Sequence, residues 1–173
     1  MIEWKEELQQ HTKEAEKIVQ GYLPEETGHQ KLLIEASNYS VLVGGKRLRP
    51  MIMLESFKAF GGTGNVVEPF MAALEMIHSG SLVHDDLPCM DNDEYRRGNL
   101  TTWKKYGYDM AVLAGDKLFI YAFETAAKAF ELTDRADLVG RAISILANKA
   151  GIYGMIGGQS VDVEYTDLSL IHI

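Results

Sequence analysis

The chain has 173 residues, of which 46% are hydrophobic, 24% charged and 9% aromatic, ordinary values for a soluble globular protein with one packed core. Its net charge of −8 argues against a nucleic-acid partner, because a phosphate backbone demands a basic footprint. Any phosphate ligand must therefore be met by a local basic cluster or by metal ions.

Cys89 is the single cysteine, so no intrachain disulfide can form; this fits a reducing compartment. The stretch Met1 to Glu7 is polar and acidic and shows no signal pattern. No apolar run approaches the ~20 residues that a membrane span needs. These features predict a cytoplasmic protein without a membrane span.

Helical periodicity dominates the chain. Ile2 to Val19 places Trp4, Leu8, Ala15, Ile18 and Val19 on an apolar face, and Gly21 and Pro24 punctuate its end. Lys31 to Val43 is a second amphipathic run, closed by Gly44-Gly45. Pro50 suits the first turn of a third helix, Met51 to Phe60. Val66 to His84 is strongly apolar and predicts a buried helix, with Met51, Met53, Met71 and Met76 as core filler. Leu87 to Thr102 reads as a loop or broken helix end. Asp109 to Phe130 and Asp134 to Ile156 are further helical patterns, the last interrupted by Gly157-Gly158. No β-hairpin signal stands out. The expected fold is all-α.

Four constellations carry possible chemistry. In Gly44-Gly45-Lys46-Arg47-Leu48-Arg49-Pro50, two glycines permit close backbone approach and three cations follow just before a helix start. The pattern suits a phosphate, and equally a solvated basic turn. Five carboxylates, Asp85, Asp86, Asp91, Asp93 and Glu94, fall within ten residues after the buried helix. They repel one another unless a cation neutralises them, and an all-oxygen set suits Mg²⁺. On a straight helix Asp85 and Asp91 would differ by about 600° of rotation, but Pro88 disrupts the helix between them, and a bend there could bring them together. The alternative is an acidic loop at a helix end. Arg96-Arg97-Gly98 either pairs with these carboxylates or completes a clamp for a departing diphosphate. Gly157-Gly158-Gln159-Ser160-Val161-Asp162, taken alone, reads as a helix C-cap with a polar tail. His78 alone reads as a core histidine.

In order and in register, these segments resemble the trans-prenyltransferase family of farnesyl and geranylgeranyl diphosphate synthases, nearly continuously from about Tyr39 to Glu164. Gly44 to Pro50 is similar to the family's isopentenyl diphosphate motif. Asp85 to Asp91 resembles its first aspartate-rich motif in the bacterial and plastid form. Arg96-Arg97-Gly98, Ala114-Gly115-Asp116 and the Gly157 to Asp162 segment sit at the family's spacing. The resemblance implies an isoprenoid-synthase helical bundle and a Mg²⁺-dependent prenyltransferase of the dimethylallyl, geranyl or farnesyl transferase type. It implies that Lys46, Arg49, His78, Arg97 and Gln159 bind substrate, chiefly isopentenyl diphosphate. It implies that Asp85, Asp86 and Asp91 hold Mg²⁺ on the allylic diphosphate and act in catalysis with Arg96. It also implies a homodimer.

The sequence departs from the family pattern in places. Leu100 stands where proline is usual, Trp103 where histidine is usual, and Lys117 where a small uncharged residue is usual. Gly80 replaces a bulky tyrosine common in short-chain bacterial members. With Ser81 it is the expected chain-length determinant, and a glycine there predicts a deeper pocket and a product longer than farnesyl. The sequence ends before the family's second aspartate-rich motif, and residues 165–173 read as an unrelated tail. The chain is therefore expected to be one incomplete domain with its C-terminal part missing, with exposed apolar faces, a tendency to aggregate and little activity. Two rival readings are a non-catalytic partner subunit of a prenyl synthase, and a metal phosphohydrolase using His84-Asp85. The second lacks further histidines at metal-ligand spacing, since His11, His29, His78 and His172 are scattered.

Overall fold

A computed structural model describes residues 2–165, with side chains from Trp4 onward; the expected tail, residues 165–173, lies outside them apart from Tyr165. The described residues fall into two compact units, one up to Asp134 and one from Arg135.

The first unit opens with α1 (Ile2–Gly21) and α2 (Lys31–Leu42). On α1, Ala15 and Val19 are fully buried, whereas Trp4 is 64% exposed and lies off the packed face that periodicity assigned to it. The third helix, α3 (Leu48–Ala59), starts three residues before the expected Met51, with Pro50 in its first turn. Ala15, Met51, Val67 and Met71 form a core cluster, and Leu8, Ile18, Met53, Leu54 and Phe57 pack against it. The methionines thus fill irregular space between helices, as unbranched side chains do.

The central pair is α4 (Glu68–Asp85) and α6 (Tyr108–Ala127), which pack along each other. Many of their buried residues are small: Ala72, Ala73, Ser79 and Gly80 on α4, and Ala111, Ala114, Gly115 and Ala122 on α6. Small residues let two helix backbones approach closely, so each contact is dense. The chain connecting them carries a two-stranded ladder, β1 (Tyr95–Arg96) and β2 (Asn99–Leu100), and the short helix α5 (Thr102–Tyr106). This hairpin corrects the expectation of a loop without one. Its two-residue turn is Arg97-Gly98, with φ of 54° and 80°, the left-handed pair that a type I′ turn requires. Arginine in place of the usual asparagine or aspartate hid the signal.

The second unit contains α7 (Ala136–Ala150) and α8 (Met155–Glu164). The single helix expected over Asp134 to Ile156 is split, and Gly157-Gly158 lies inside α8. The break falls at Gly151–Gly154 because the chain doubles onto its own backbone there. A Cβ at Gly154 would sit 1.9 Å from the Lys149 carbonyl oxygen, a distance open only to glycine.

Among the described residues no helix is long and apolar enough to cross a membrane. Large apolar side chains stand exposed in both units, Leu113 and Ile120 on α6 and Ile145, Ile152 and Tyr153 from α7 onward.

Lys117 on α6 is a local misfit. Its Nζ is buried with no hydrogen-bond partner among the described residues and sits 4.5 Å from the Tyr121 ring centroid. Burial pulls its pKa down to about 8, against the weaker opposing pull of Glu124. A depressed folded pKa means stability present above the ordinary lysine value of 10.5 and lost as pH falls through about 8. Lys117→Met keeps the stem and removes the charge. It is expected to stabilise the chain at pH 7 by on the order of 1 kcal/mol, with the gain shrinking toward pH 10.5 in thermal melts. An equal gain at both pH values contradicts this.

Candidate functional site: a basic cavity joined to a carboxylate bend

The turn between α2 and α3 carries positive φ at Gly44, Gly45 and Arg47, of 92°, 154° and 49°. The left-handed Arg47 turns its side chain inward, leaving it 2% exposed. Its guanidinium bonds Glu75 Oε1 at 2.7 Å, the Val41 carbonyl at 2.5 Å and Glu16 Oε1 at 3.0 Å, and Nε donates to Glu16 Oε2. Burial pushes the Glu16 carboxyl up, but the hydrogen bond and charge of Arg47 outweigh it and hold the group below the usual range. The basic turn therefore presents two cations outward, Lys46 and Arg49, rather than three.

Both line a cavity of about 340 Å³ together with Gly45, Arg47, Leu48, Glu75, His78 and Arg97. His78 Nε2 lies 3.4 Å from Arg49 Nη1. Burial, then the Arg49 charge, lowers the His78 pKa, so the ring is neutral at pH 7 and offers a polar atom rather than a charge. Arg97 crosses from the hairpin and donates to the Gly44 carbonyl. A Cβ on Gly45 would lie 2.5 Å from Arg97 Nη1. The φ of 154° at Gly45 is itself one that side chains rarely adopt.

The carboxylates follow at the end of α4. Pro88 has no N–H to continue the helix, and the chain folds back. Asp91 N donates to the Asp85 carbonyl at 2.9 Å, and Met90 N and Asn92 N donate to the Leu87 carbonyl at 2.9 and 3.0 Å. The bend thus returns Asp91 to Asp85. Asp86 is buried and takes both Nη2 and Nε of Arg96, at 2.6 and 2.8 Å. Glu94 pairs with Lys104 at 2.6 Å. Trp103 Nε1 and Thr101 Oγ1 both donate to the Asp93 carbonyl at 2.8 Å, so the departure at Trp103 braces the loop. Asp85 is left without a salt bridge among the described residues. Burial, then the Asp91 charge, raises its pKa; burial likewise raises that of Asp86, with Arg96 opposing.

Among the described residues no three acidic, histidine or cysteine side chains converge as a metal cage. Mg²⁺ usually takes only one or two carboxylates and completes its shell with phosphates and water. Asp85 and Asp91, which repel each other and make no salt bridge among the described residues, fit that mode; Asp86 is engaged by Arg96. His84 Nε2 is turned to α6, 3.1 Å from the Val112 carbonyl and 3.7 Å from Asp116 Oδ1, which does not favour a histidine–aspartate metal pair with Asp85.

Gly115 makes room for that ring: a Cβ there would lie 2.2 Å from His84 Nε2. Gly115→Ala is expected to displace His84 and destabilise the chain by about 1–3 kcal/mol, read from urea denaturation; an unchanged midpoint contradicts this. Gly80 packs the same way, its Cβ position 3.2 Å from Leu118 Cβ, 3.3 Å from the Gly115 carbonyl and 3.4 Å from Phe119 Cε1. The glycine thus lets α6 close in, and Ser81 bonds the His78 carbonyl at 2.9 Å. Gln159 lies on α8 of the second unit.

Sequence reasoning missed Arg47, Glu16 and Glu75 as a buried network. The available signal was Glu75, a lone acid in the apolar run Val66 to His84, whose burial demands a cation.

One hairpin links the basic cavity to the carboxylate bend within a helical bundle. The polyprenyl synthetase family model matches residues 30–171, and the chain belongs to that family. It is 47% identical over 142 residues to a chloroplastic geranylgeranyl pyrophosphate synthase of Catharanthus roseus, covering 80% of this chain and 40% of the relative. It is 41% identical over 157 residues to a farnesyl diphosphate synthase of Geobacillus stearothermophilus, covering 91% of this chain and 52% of the relative. A crystal structure of an apo FPP/GFPP synthase from Zymomonas mobilis superposes with a TM-score of 0.87 at 32% identity, over 98% of this chain and 60% of that one. The chain thus spans about half the length of the relatives it matches.

Proposed function

We propose that this chain supplies the isopentenyl diphosphate cavity and the first allylic diphosphate site of a short-chain prenyltransferase. The observation that carries the reading is the hairpin. Consecutive residues Arg96 and Arg97 reach in turn to Asp86 in the carboxylate bend and to Gly44 in the basic turn. Two diphosphate sites held by one rigid turn suit a reaction that must place two diphosphate substrates side by side.

In this reading Lys46 and Arg49 bind the isopentenyl diphosphate, and Arg97 and the neutral His78 complete its cradle. Asp85 and Asp91 face the allylic diphosphate with Mg²⁺, and Arg96, poised on Asp86, answers charge as it develops on the departing group. Mg²⁺ bound there would neutralise that departing diphosphate. The allylic carbon–oxygen bond breaks, the isopentenyl double bond attacks the resulting cation, and a proton leaves. Gln159 is assigned to substrate by family resemblance. The reading includes a homodimer in the complete enzyme, for which the exposed Leu113 and Ile120 of α6 provide an apolar surface, and a cytoplasmic location, for which the free thiol of Cys89 speaks.

The test is equilibrium binding of isopentenyl diphosphate to this chain. One saturable site, displaced by inorganic diphosphate, is expected; no saturable binding refutes the reading.

Gly80 belongs to the same proposal as the chain-length determinant. Gly80→Tyr must push its ring between α4 and the Leu118–Phe119 face of α6. In a complete synthase carrying this segment it is expected to shift the main product shorter by at least one isoprene unit, read by chromatography of the dephosphorylated products. An unchanged distribution removes Gly80 from that role.

A further inference from the structure

Glu75 lines the basic cavity with Lys46, Arg49, His78 and Arg97. A carboxylate in the wall of a cavity that receives a diphosphate repels its ligand, and does so strongly where water is excluded. Glu75 is 3% exposed, so solvent screens it little. Its partner is Arg47 Nη1 at 2.7 Å, itself 2% exposed. The rest of the Arg47 fork goes to Glu16 on α1 and to the Val41 carbonyl, which ties three separated stretches of chain to one guanidinium. The left-handed backbone that turns Arg47 inward leaves Lys46 and Arg49 facing the cavity.

The geometry points to Arg47 as the positioning and charge-cancelling residue of this cavity: it holds the turn that presents Lys46 and Arg49, and it neutralises the Glu75 carboxylate that would otherwise oppose an incoming diphosphate. The assignment rests on the isopentenyl diphosphate reading given above. It predicts that removing Arg47 weakens binding through an unmasked charge, and that removing the charge restores it. A purely structural arginine behaves otherwise, because Glu75→Gln rebuilds neither the fork nor the turn.

The experiment is calorimetric titration of isopentenyl diphosphate into the chain and its variants, each checked for wild-type helicity by circular dichroism. Arg47→Met is expected to weaken binding about tenfold or more. Arg47→Met combined with Glu75→Gln is expected to return to within about threefold of wild type. Glu75→Gln alone removes the carboxylate from the cavity wall while Glu16 keeps its hold on Arg47, and is expected to bind about two- to threefold tighter. A folded Arg47→Met that binds like wild type overturns the assignment, as does a double variant no better than Arg47→Met. Should Arg47→Met fail to fold, Glu75→Gln decides: tighter binding upholds the assignment, and unchanged or weaker binding overturns it. Lys46→Ala/Arg49→Ala is the control, since unchanged binding there refutes the isopentenyl diphosphate reading itself, whatever Arg47 does.

Discussion

Replacing Lys46 and Arg49 together by alanine is expected to weaken isopentenyl diphosphate binding by about a hundredfold or more. These are the two exposed cations of the turn that line the 340 Å³ cavity. A charge-assisted contact to a phosphate contributes about 1.5–3 kcal/mol, and each 1.4 kcal/mol is about a tenfold change in affinity. Both side chains are exposed and outside the packed core, so the variant should melt close to wild type, since surface changes away from special features cost within about 0.5 kcal/mol. Loss of binding without loss of stability is the diagnostic pair. A variant that still binds within about threefold of wild type would move the diphosphate elsewhere.

Asp85→Asn in a complete synthase carrying this segment is expected to lower turnover by about 10²–10³-fold, the scale for removing one group that acts on developing charge. The asparagine keeps the shape and removes the charge that Mg²⁺ requires. Isopentenyl diphosphate binding should be unaffected, because Lys46, Arg49 and Arg97 line a cavity that does not include Asp85. Steady-state rates against Mg²⁺ concentration measure it. Turnover within about tenfold of wild type, at the wild-type Mg²⁺ requirement, would exclude Asp85 as the key carboxylate.

Much of this was legible in the chain itself. Periodicity located most of the helices, because each must bury one face, while the small residues that let α4 and α6 close on each other went unread. Clustered cations and carboxylates marked the turn and the bend, since like charges placed together need an opposite partner. What sequence could not assign was direction. By residue type alone Lys46, Arg47 and Arg49 look equivalent; resemblance set Arg47 aside, and the left-handed φ of Arg47, answered by Glu16 and Glu75 from distant helices, supplies the physical reason. Asp86 and Glu94 looked as available as Asp85 until Arg96 and Lys104 were seen to claim them. The break before Met155 depends on Gly154 meeting the Lys149 carbonyl, a three-dimensional contact that no window of hydrophobicity records. The hairpin escaped notice because an arginine occupies the left-handed site of its turn.

The most direct test of the central claim is a condensation assay. A complete synthase carrying this segment would be incubated with labelled isopentenyl diphosphate and dimethylallyl diphosphate, with and without Mg²⁺. The account predicts acid-labile prenyl diphosphate longer than the substrates, formed only when the divalent ion is present. No acid-labile product, or product formed equally well in excess chelator, would contradict it.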